Sequence, residues 1–216
     1  MKNCKVFFFG DSICFGQGIS PHKVWVTRVA AALASTVSDL AFTVQNPSIN
    51  GNTTRMALER MAYDVQAHRP DVLIVQFGMN DCNVWESDRG HQRVSPDAFV
   101  ANLAEIIDRG RLNGAREVLL GVNHPTTRTT AMLPHTKITY DDSNRQYNSL
   151  IRGVAKAKGA VLVDMEKAVA QAVANGTRSA EFVLEDGLHL SEAGHDIYVA
   201  TYGPVVIDAA RRLTNL

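Results

Sequence analysis

The segment Asp71-Val72-Leu73-Ile74-Val75-Gln76-Phe77 is nearly continuous in apolar character. A strand with one face in solvent alternates apolar and polar side chains, whereas a strand covered by helices on both faces is apolar along its length. Such covered strands are typical of parallel sheets, because the helices that connect parallel strands pack on the sheet faces. The segment therefore predicts a central strand of a parallel sheet.

Other β-rich runs precede and follow this segment, and long helical patterns separate them. Strands are predicted near residues 5–9, 41–45, 71–77, 117–122 and 160–164, and helices over 22–35, 54–67, 97–112, 142–158, 165–174 and 191–213. The alternation predicts a three-layer α/β/α sandwich with a five-stranded parallel sheet and right-handed connections, of the flavodoxin-like kind.

Three prolines bear on where these helices begin or break. Ser20-Pro21 and Ser95-Pro96 each offer a capping hydroxyl followed by a proline at the first helical position. Pro204 lies inside the last predicted helix. Because proline has no amide hydrogen for the helical bond, we expect it to kink or split that helix.

Length and composition favour one globular domain, and the charge balance favours a small or neutral substrate. The 216 residues are 45% hydrophobic and 20% charged, and no linker, repeat or low-complexity tract divides residues 1–216. The formal net charge is zero, and acids and bases are interspersed. A nucleic-acid or anionic-lipid partner needs a large basic surface, so we expect no nucleic-acid binding. The sequence carries no signal for an oligomeric state.

Cysteine usage and the amino-terminal segment bear on the compartment. Cys4, Cys14 and Cys82 are odd in number and lack paired spacing, which disfavours a disulfide framework or a zinc site. The apolar run of residues 6–9 is too short for the core of a signal peptide, and no segment has the length of a membrane span. We therefore expect a cytoplasmic protein with no membrane insertion.

Four polar clusters fall where the predicted fold brings loops together. Gly10-Asp11-Ser12, residues 50–54 and Gly78-Met79-Asn80-Asp81 follow the first three strands, and Asp186-Gly187-Leu188-His189 follows the fifth strand and its helix. In open parallel sheets the ligand crevice lies outside the carboxyl ends of the strands. All four clusters are therefore predicted to meet at one rim of the sheet.

The residue types in these clusters suit acyl transfer. Ser12 is the candidate nucleophile, His189 the base that takes its proton, and Asp186 the acid that orients the imidazole from three residues away. Attack on a carbonyl creates an oxyanion, which needs hydrogen-bond donors. The backbone amides of Ser12 and Gly51 and the side-chain amide of Asn80 are the candidate donors.

The four clusters, in this order, resemble the four sequence blocks of the SGNH (GDSL-type) hydrolase superfamily. The resemblance runs from Ser12 to His189 and differs from the usual first block at Ile13, where leucine is typical. It implies a flavodoxin-like sandwich and a cofactor-free, metal-free hydrolase. Ser12, Gly51, Asn80 and His189 would then be the nucleophile, two oxyanion donors and the base. Members act on lipids, thioesters, peptidoglycan and O-acetylated sugars, so the resemblance predicts the chemistry better than the substrate.

Several neighbouring residues have two open interpretations. Asp11 either hydrogen-bonds backbone amides and holds Ser12, or is an ordinary turn residue, and Asp81 either steadies the loop of Asn80 or is likewise a turn acid. Cys14 is a rival nucleophile, although a small buried side chain is the favoured interpretation. His124 lies on the same rim, where a substrate contact and a purely structural role are both open.

The remaining histidines carry no strong signal. His195 follows His189 by six residues, a spacing that places the two on different helical faces and disfavours a metal pair. Surface positions are expected for His22, His68, His91 and His135.

Two long loops, residues 82–94 and 123–139, are predicted to shape the pocket. They are polar and contain one aromatic side chain suited to ring stacking, Trp85, although solvated loops without a role are at least an equal alternative. This composition favours a hydrophilic or sugar-like ester over a long acyl chain. We therefore expect a serine esterase with a carbohydrate O-acetyl substrate. The alternatives are a lysophospholipase or acyl thioesterase of the same superfamily, and a catalytically inactive α/β binding module.

Overall fold

A computed structural model describes residues 2–214, which form a five-stranded sheet between two helical layers. The strands are β1 (Lys2–Gly10), β2 (Leu40–Gln45), β3 (Val72–Gln76), β4 (Glu117–Val122) and β5 (Val161–Asp164). All pairings are parallel, and the strand order is β2-β1-β3-β4-β5. This is the flavodoxin-like order, so the predicted fold class is confirmed.

In the described part of the chain, seven α-helices connect and flank the strands. They are α1 (Ser12–Phe15), α2 (Trp25–Thr36), α3 (Thr54–Asp64), α4 (Pro96–Leu112), α5 (Tyr140–Lys158), α6 (Met165–Ala174) and α7 (Glu192–Arg212). Helix α7 contacts α2 and α6, while α4 contacts α3 and α5. These two sets of contacts are the two layers of the sandwich. Within residues 2–214, no helix has the length and hydrophobicity needed to cross a lipid bilayer.

The two central strands carry the core. All five residues of β3 are buried, as the apolar segment predicted. In β1, Phe7, Phe8 and Phe9 are buried and point alternately to the two sheet faces. Phe8 meets Trp25 of α2 edge-on at 5.3 Å between ring centroids, whereas Phe9 meets Phe77 edge-on at 5.3 Å. The guanidinium of Arg60 in α3 also lies over the Phe9 ring at 4.6 Å, so β1 contacts a helix of each layer.

The predicted hydroxyl caps at Ser20 and Ser95 are wrong, because neither side chain bonds to a helix amide. The helix predicted over 22–35 is instead a 3₁₀ turn, Pro21–Lys23, followed by α2 from Trp25. The amide of Trp25 donates to Nδ1 of the buried His195 at 3.2 Å. A side chain from α7 thus satisfies an amide at the start of α2, where the helix itself has no acceptor.

Helix α7 passes through Pro204 without splitting, so of the two predicted outcomes the split is wrong and the kink stays a prediction. The preceding residue is Gly203, and a Cβ at that position would meet no atom within 4 Å. Tyr198 and Tyr202 on the same helix are fully buried against Trp25. This packing compensates the missing hydrogen bond of the proline, which in an isolated helix costs about 3 kcal/mol.

Substitution of Gly10 by alanine should destabilise the protein. A Cβ at Gly10 would lie 2.6 Å from Sγ of Cys14 and 2.8 Å from the carbonyl oxygen of Gln76. Such overpacking typically costs about 1–3 kcal/mol. Gly153→Ala is the matched control, because it lies in α5 and its Cβ would meet nothing within 4 Å. There we expect stabilisation of about 0.5–1 kcal/mol. Urea denaturation measures both, and an unchanged free energy of unfolding for Gly10→Ala would contradict the close contact.

Candidate active site

Ser12 is the first residue of a short helix, α1, that sequence analysis did not predict. Oδ1 of Asp11 accepts a hydrogen bond from the amide of Ile13 at 3.0 Å, which caps the helix. Gly16 ends it with a φ of 82°, a left-handed conformation that favours glycine. Asp11 therefore holds the turn through a backbone amide, one of its two predicted roles. Ser12 itself is only 5% exposed.

The three residues predicted to act as nucleophile, base and acid come together. Oγ of Ser12 lies 2.9 Å from Nε2 of His189, although 177 positions separate them in the sequence. Nδ1 of His189 lies 2.5 Å from Oδ2 of Asp186. The other oxygen of Asp186 accepts the amides of Leu188 and His189, both at 2.9 Å. The arrangement is a continuous hydrogen-bonded chain from carboxylate to imidazole to hydroxyl.

The hydrogen bonds to Asp186 define the state of the imidazole. Burial raises the pKa of Asp186, but the hydrogen bonds from the His189 ring and from the amides of Leu188 and His189 outweigh it and hold the pKa below 3.8. An ionised carboxylate only accepts hydrogen bonds. Nδ1 of His189 therefore carries the ring hydrogen, and Nε2 is left to accept the proton of Ser12.

The loop after β4 supports the turn that carries Asp186 and His189. Nε2 of His124 lies 2.8 Å from the carbonyl oxygen of Leu188, and Nδ1 lies 2.8 Å from the hydroxyl of Tyr198. His124 is fully buried, so it does not reach substrate. Burial also lowers its pKa to about 4, so the ring is neutral at pH 7. Of its two open interpretations, the structural one is correct.

Hydrogen bonds through Asp11 and Arg93 link the residues that are predicted to supply the oxyanion donors. Nδ2 of Asn80 donates to Oδ2 of Asp11 at 3.2 Å, which places the amide beside the residue that precedes Ser12. Nη1 of Arg93 donates to Oδ1 of Asn80 at 3.4 Å and to the carbonyl oxygen of Gly51 at 3.2 Å. Ser12 opens α1, where an amide has no acceptor within the helix. Arg93 was predicted only as part of a polar pocket loop.

Two buried carboxyl groups hold the loops behind these donors. Asp81 accepts the amide of Thr54 at 2.9 Å and its hydroxyl at 2.5 Å through a single oxygen. Burial raises the pKa of Asp81 to about 6 and that of Asp11 to about 7. Asp81 thus ties the Asn80 loop to the start of α3. This contact corresponds to the steadying role predicted for it.

The rival nucleophile and the other histidines have structural surroundings. Cys14 is fully buried. Burial, and to a smaller extent the charge of nearby Asp11, raises the pKa of Cys14 well above 9.0, so the side chain stays a thiol. His195 is buried under α2. Between residues 2 and 214, no group of three or more histidine, cysteine or acidic side chains could hold a metal ion. His22, His68, His91 and His135 are exposed, as predicted.

The two pocket loops differ in their contacts. Trp85 is 51% exposed, and its ring stacks on the guanidinium of Arg93 at 4.1 Å from the centroid. The second loop packs on the turn of the acid and base, with the amide of Thr127 donating to the carbonyl oxygen of Gly187 at 3.0 Å. A cavity of about 510 Å³ lies beyond Thr127, against α5 and α6, and no predicted site residue lines it.

Comparison with known proteins identifies the family. Residues 8–197 match the model of the GDSL-like lipase/acylhydrolase family. The chain belongs to this family. The SGNH hydrolase resemblance is thereby confirmed, and the matched range includes every predicted site residue.

Three relatives are similar in sequence to this chain over different lengths. An arylesterase of Vibrio mimicus is 29% identical over 121 residues, 56% of each chain, and the esterase TesA of Pseudomonas aeruginosa is 29% identical over 116 residues, 54% of this chain and 53% of its own. The chain thus spans about half the length of these two relatives. The lipoprotein YqeF of Bacillus subtilis is 29% identical over 202 residues, 86% of this chain and 82% of its own. A lipoprotein among the relatives leaves the cytoplasmic location a prediction.

Solved structures share the fold. The acetylxylan esterase Axe2 of Geobacillus stearothermophilus has a TM-score of 0.73 at 22% identity and covers 92% of this chain and 91% of its own. A lipase/acylhydrolase of Enterococcus faecalis gives 0.72 at 22% identity, over 95% and 96% of the two chains. The acetyl xylan esterase AlAXEase gives 0.75 at 22% identity, over 94% and 99%. The family fold is therefore present over nearly the whole chain.

Asp11→Asn should flatten the dependence of stability on pH. Burial raises the pKa of Asp11 from 3.8 to about 7, so the folded protein keeps a proton that the unfolded chain releases between those values. The resulting stability is complete below about pH 4 and is lost as the pH rises through 7. We expect the melting temperature of the wild type to fall more steeply than that of Asp11→Asn between about pH 5 and pH 8.

The exposed carboxylate of Asp39 provides the control. Asp39→Asn removes the same charge at the surface and should keep the slope of the wild type. Equal slopes for Asp11→Asn and the wild type would contradict a proton-binding Asp11.

Proposed function

We propose that this chain is a serine esterase that acts through Ser12, His189 and Asp186. The observation that carries the proposal is the hydrogen-bonded chain from Asp186 through His189 to the hydroxyl of Ser12. A serine is nucleophilic only where a base accepts its proton during attack, and the base needs an orienting partner. The family membership and the esterase names of two relatives support ester hydrolysis as the reaction.

The first half-reaction forms an acyl-enzyme. Oγ of Ser12 attacks the ester carbonyl carbon while its proton passes to Nε2 of His189. The carbonyl oxygen becomes an oxyanion, which the amides of Ser12 and Gly51 and Nδ2 of Asn80 would bind. When the intermediate collapses, the C–O bond to the alcohol breaks and His189 returns the proton to the leaving oxygen. Asp186 stabilises the imidazolium between these steps.

The second half-reaction releases the acid. A water molecule attacks the acyl carbon, and its proton passes to Nε2 of His189. Collapse of the second tetrahedral intermediate breaks the bond to Oγ of Ser12, which regains its proton from His189. Over the two half-reactions the proton of Ser12 leaves with the alcohol and a proton from water replaces it, so water is the co-reactant that this mechanism uses.

Carbohydrate O-acetyl esters are the substrate class that we favour. Trp85 is half-exposed and stacks on Arg93, whose guanidinium touches both Gly51 and Asn80. An exposed aromatic face beside an ester site suits the apolar face of a sugar ring. Two of the structural neighbours are acetylxylan esterases by name, which gives a precedent for this ester on this fold.

Ser12→Ala should abolish hydrolysis of p-nitrophenyl acetate. Loss of the nucleophile in serine hydrolases lowers kcat by at least about 10⁴-fold. Cys14→Ala is the control, because it removes the rival nucleophile and should keep most of the activity. Purified variants are compared by release of p-nitrophenol, with circular dichroism to verify folding. Turnover in Ser12→Ala at the rate of the wild type would refute the proposal, and loss in Cys14→Ala alone would transfer the role to the thiol.

A substrate panel tests the carbohydrate assignment. Acetylated xylo-oligosaccharides, p-nitrophenyl esters of increasing chain length and acyl-CoA are supplied to the wild type and to Ser12→Ala. We expect the highest kcat/KM with the acetylated sugars, and a KM about tenfold higher for them in Trp85→Ala, equivalent to about 1.4 kcal/mol of lost binding. Tyr63→Ala is the aromatic control, since Tyr63 is 81% exposed near the far end of α3. Preference for long acyl chains or acyl-CoA would instead favour the lysophospholipase or thioesterase alternative.

A further inference from the structure

The proposed oxyanion donors come from separate loops and need a common support. Gly51 lies in the loop after β2 and Asn80 in the loop after β3. Gly51 has a φ of 75°, and a Cβ at this position would meet no atom within 4 Å. No packing contact at the Cβ position therefore holds Gly51. Asn80 donates through a side chain with two rotatable bonds. Asp81 ties the Asn80 loop to Thr54, three residues after Gly51, but this contact does not itself orient the side-chain amide of Asn80.

We propose that Arg93 is a positioning residue that holds the Gly51 and Asn80 donors in one geometry around Ser12. The inference rests on the proposed esterase function. One nitrogen of Arg93, Nη1, donates to the carbonyl oxygen of Gly51 at 3.2 Å and to Oδ1 of Asn80 at 3.4 Å. A single guanidinium therefore connects the two loops.

The contact with Asn80 determines which way its amide points. Arg93 holds Oδ1, and one hydrogen of Nδ2 goes to Oδ2 of Asp11 at 3.2 Å. A primary amide has two N–H donors. With its oxygen and one hydrogen engaged, the amide plane is fixed, and the second Nδ2 hydrogen remains for an oxyanion. Rotation of the amide by half a turn would place its N–H donors against the guanidinium of Arg93, which has no acceptor.

Arg93 is itself held from several sides. Its amide donates to the carbonyl oxygen of Asn83 at 2.9 Å, which closes the loop on itself. Its guanidinium stacks on the ring of Trp85 at 4.1 Å from the centroid. The carboxylates of Asp81 and Asp88 attract its charge. The cation is therefore oriented by contacts within the protein, with the Trp85 ring stacked on it.

Arginine suits this position better than lysine. The guanidinium is planar, carries five N–H donors in a fixed arrangement and stacks on aromatic rings. The ammonium of lysine is a compact point charge that loses this stacking geometry. Arg93→Lys thus separates the effect of a nearby positive charge from the effect of the shaped contact.

The test compares Arg93→Ala, Arg93→Lys and Arg89→Ala with the wild type, using p-nitrophenyl acetate. Arg89 is the matched control, because it is an exposed arginine of the same loop. For Arg93→Ala we expect kcat to fall by about 10²-fold, the loss typical of a misplaced group near the reacting atoms, with KM changed less than about threefold. Arg93→Lys should lose about tenfold in kcat, and Arg89→Ala should resemble the wild type.

Chemical rescue provides a readout that general destabilisation would not move. Guanidinium chloride at low, non-denaturing concentration should restore part of the kcat of Arg93→Ala, because the free ion can occupy the vacated position between Gly51 and Asn80. Methylammonium chloride at the same concentration should restore less. The wild type and Asn80→Ala receive the same salts, and neither should be activated. If Arg93→Ala fails to fold, the loss of kcat in Arg93→Lys at unchanged KM decides the question.

The outcomes separate this inference from the proposed function. An inactive Ser12→Ala together with wild-type kcat in Arg93→Ala would overturn the role of Arg93 alone. A raised KM at constant kcat would also overturn it and would assign Arg93 to substrate binding. Activity retained in Ser12→Ala would refute the esterase mechanism itself.

Discussion

Parallel pairing of β1 with β3 is the constraint on which the site depends. The register places Gly10 beside Gln76, so both strands end at the same level. Ser12 follows one of these ends and Asn80 the other. Because the chain connects β1 outward to β2 and then returns to β3, the loops diverge at this point and leave a crevice. The absence of a side chain at Gly10 lets Cys14 and Gln76 approach closely. Ser12 is then directed into the crevice.

A layer of buried polar side chains fixes the other strand ends. Nε2 of Gln76 donates to Oδ1 of Asn123 at 2.7 Å, and the amide of Asn123 donates to Asn148 at 3.0 Å. The hydroxyl of Tyr202 also donates to Gln76. A buried polar group without a hydrogen-bond partner would destabilise the fold, whereas a network in which these groups bond to one another is rigid. The strand ends next to the reactive groups are therefore held by a hydrogen-bonded network.

Sequence periodicity predicted the fold because burial on both faces leaves a direct record in residues 71–77. The four polar clusters made Ser12, His189 and Asp186 the candidate site residues, because these residue types are rare in combination and each lies next to a strand end or a turn. The sequence left the role of His124 open, because its burial depends on tertiary contacts that no local pattern records. For the same reason the cap of α2 was wrong: the acceptor is His195, 170 residues away. Residues that act through distant contacts leave no local pattern.

Arg93 is the clearest case of such a distant contact, and the charge balance of the site explains why an arginine is needed there. Asp11 caps the helix of Ser12 and orients Asn80, yet its carboxyl lies beside the position where the oxyanion would form. A carboxylate there would oppose the developing negative charge. Two features reduce this opposition. Burial raises the pKa of Asp11 to about 7, so that much of it is protonated at neutral pH. The guanidinium of Arg93, held against Gly51 and Asn80, adds positive charge on the other side of the donors. A buried acid that organises the donors is therefore compatible with oxyanion binding only because its own ionisation is suppressed and an oriented cation stands opposite it.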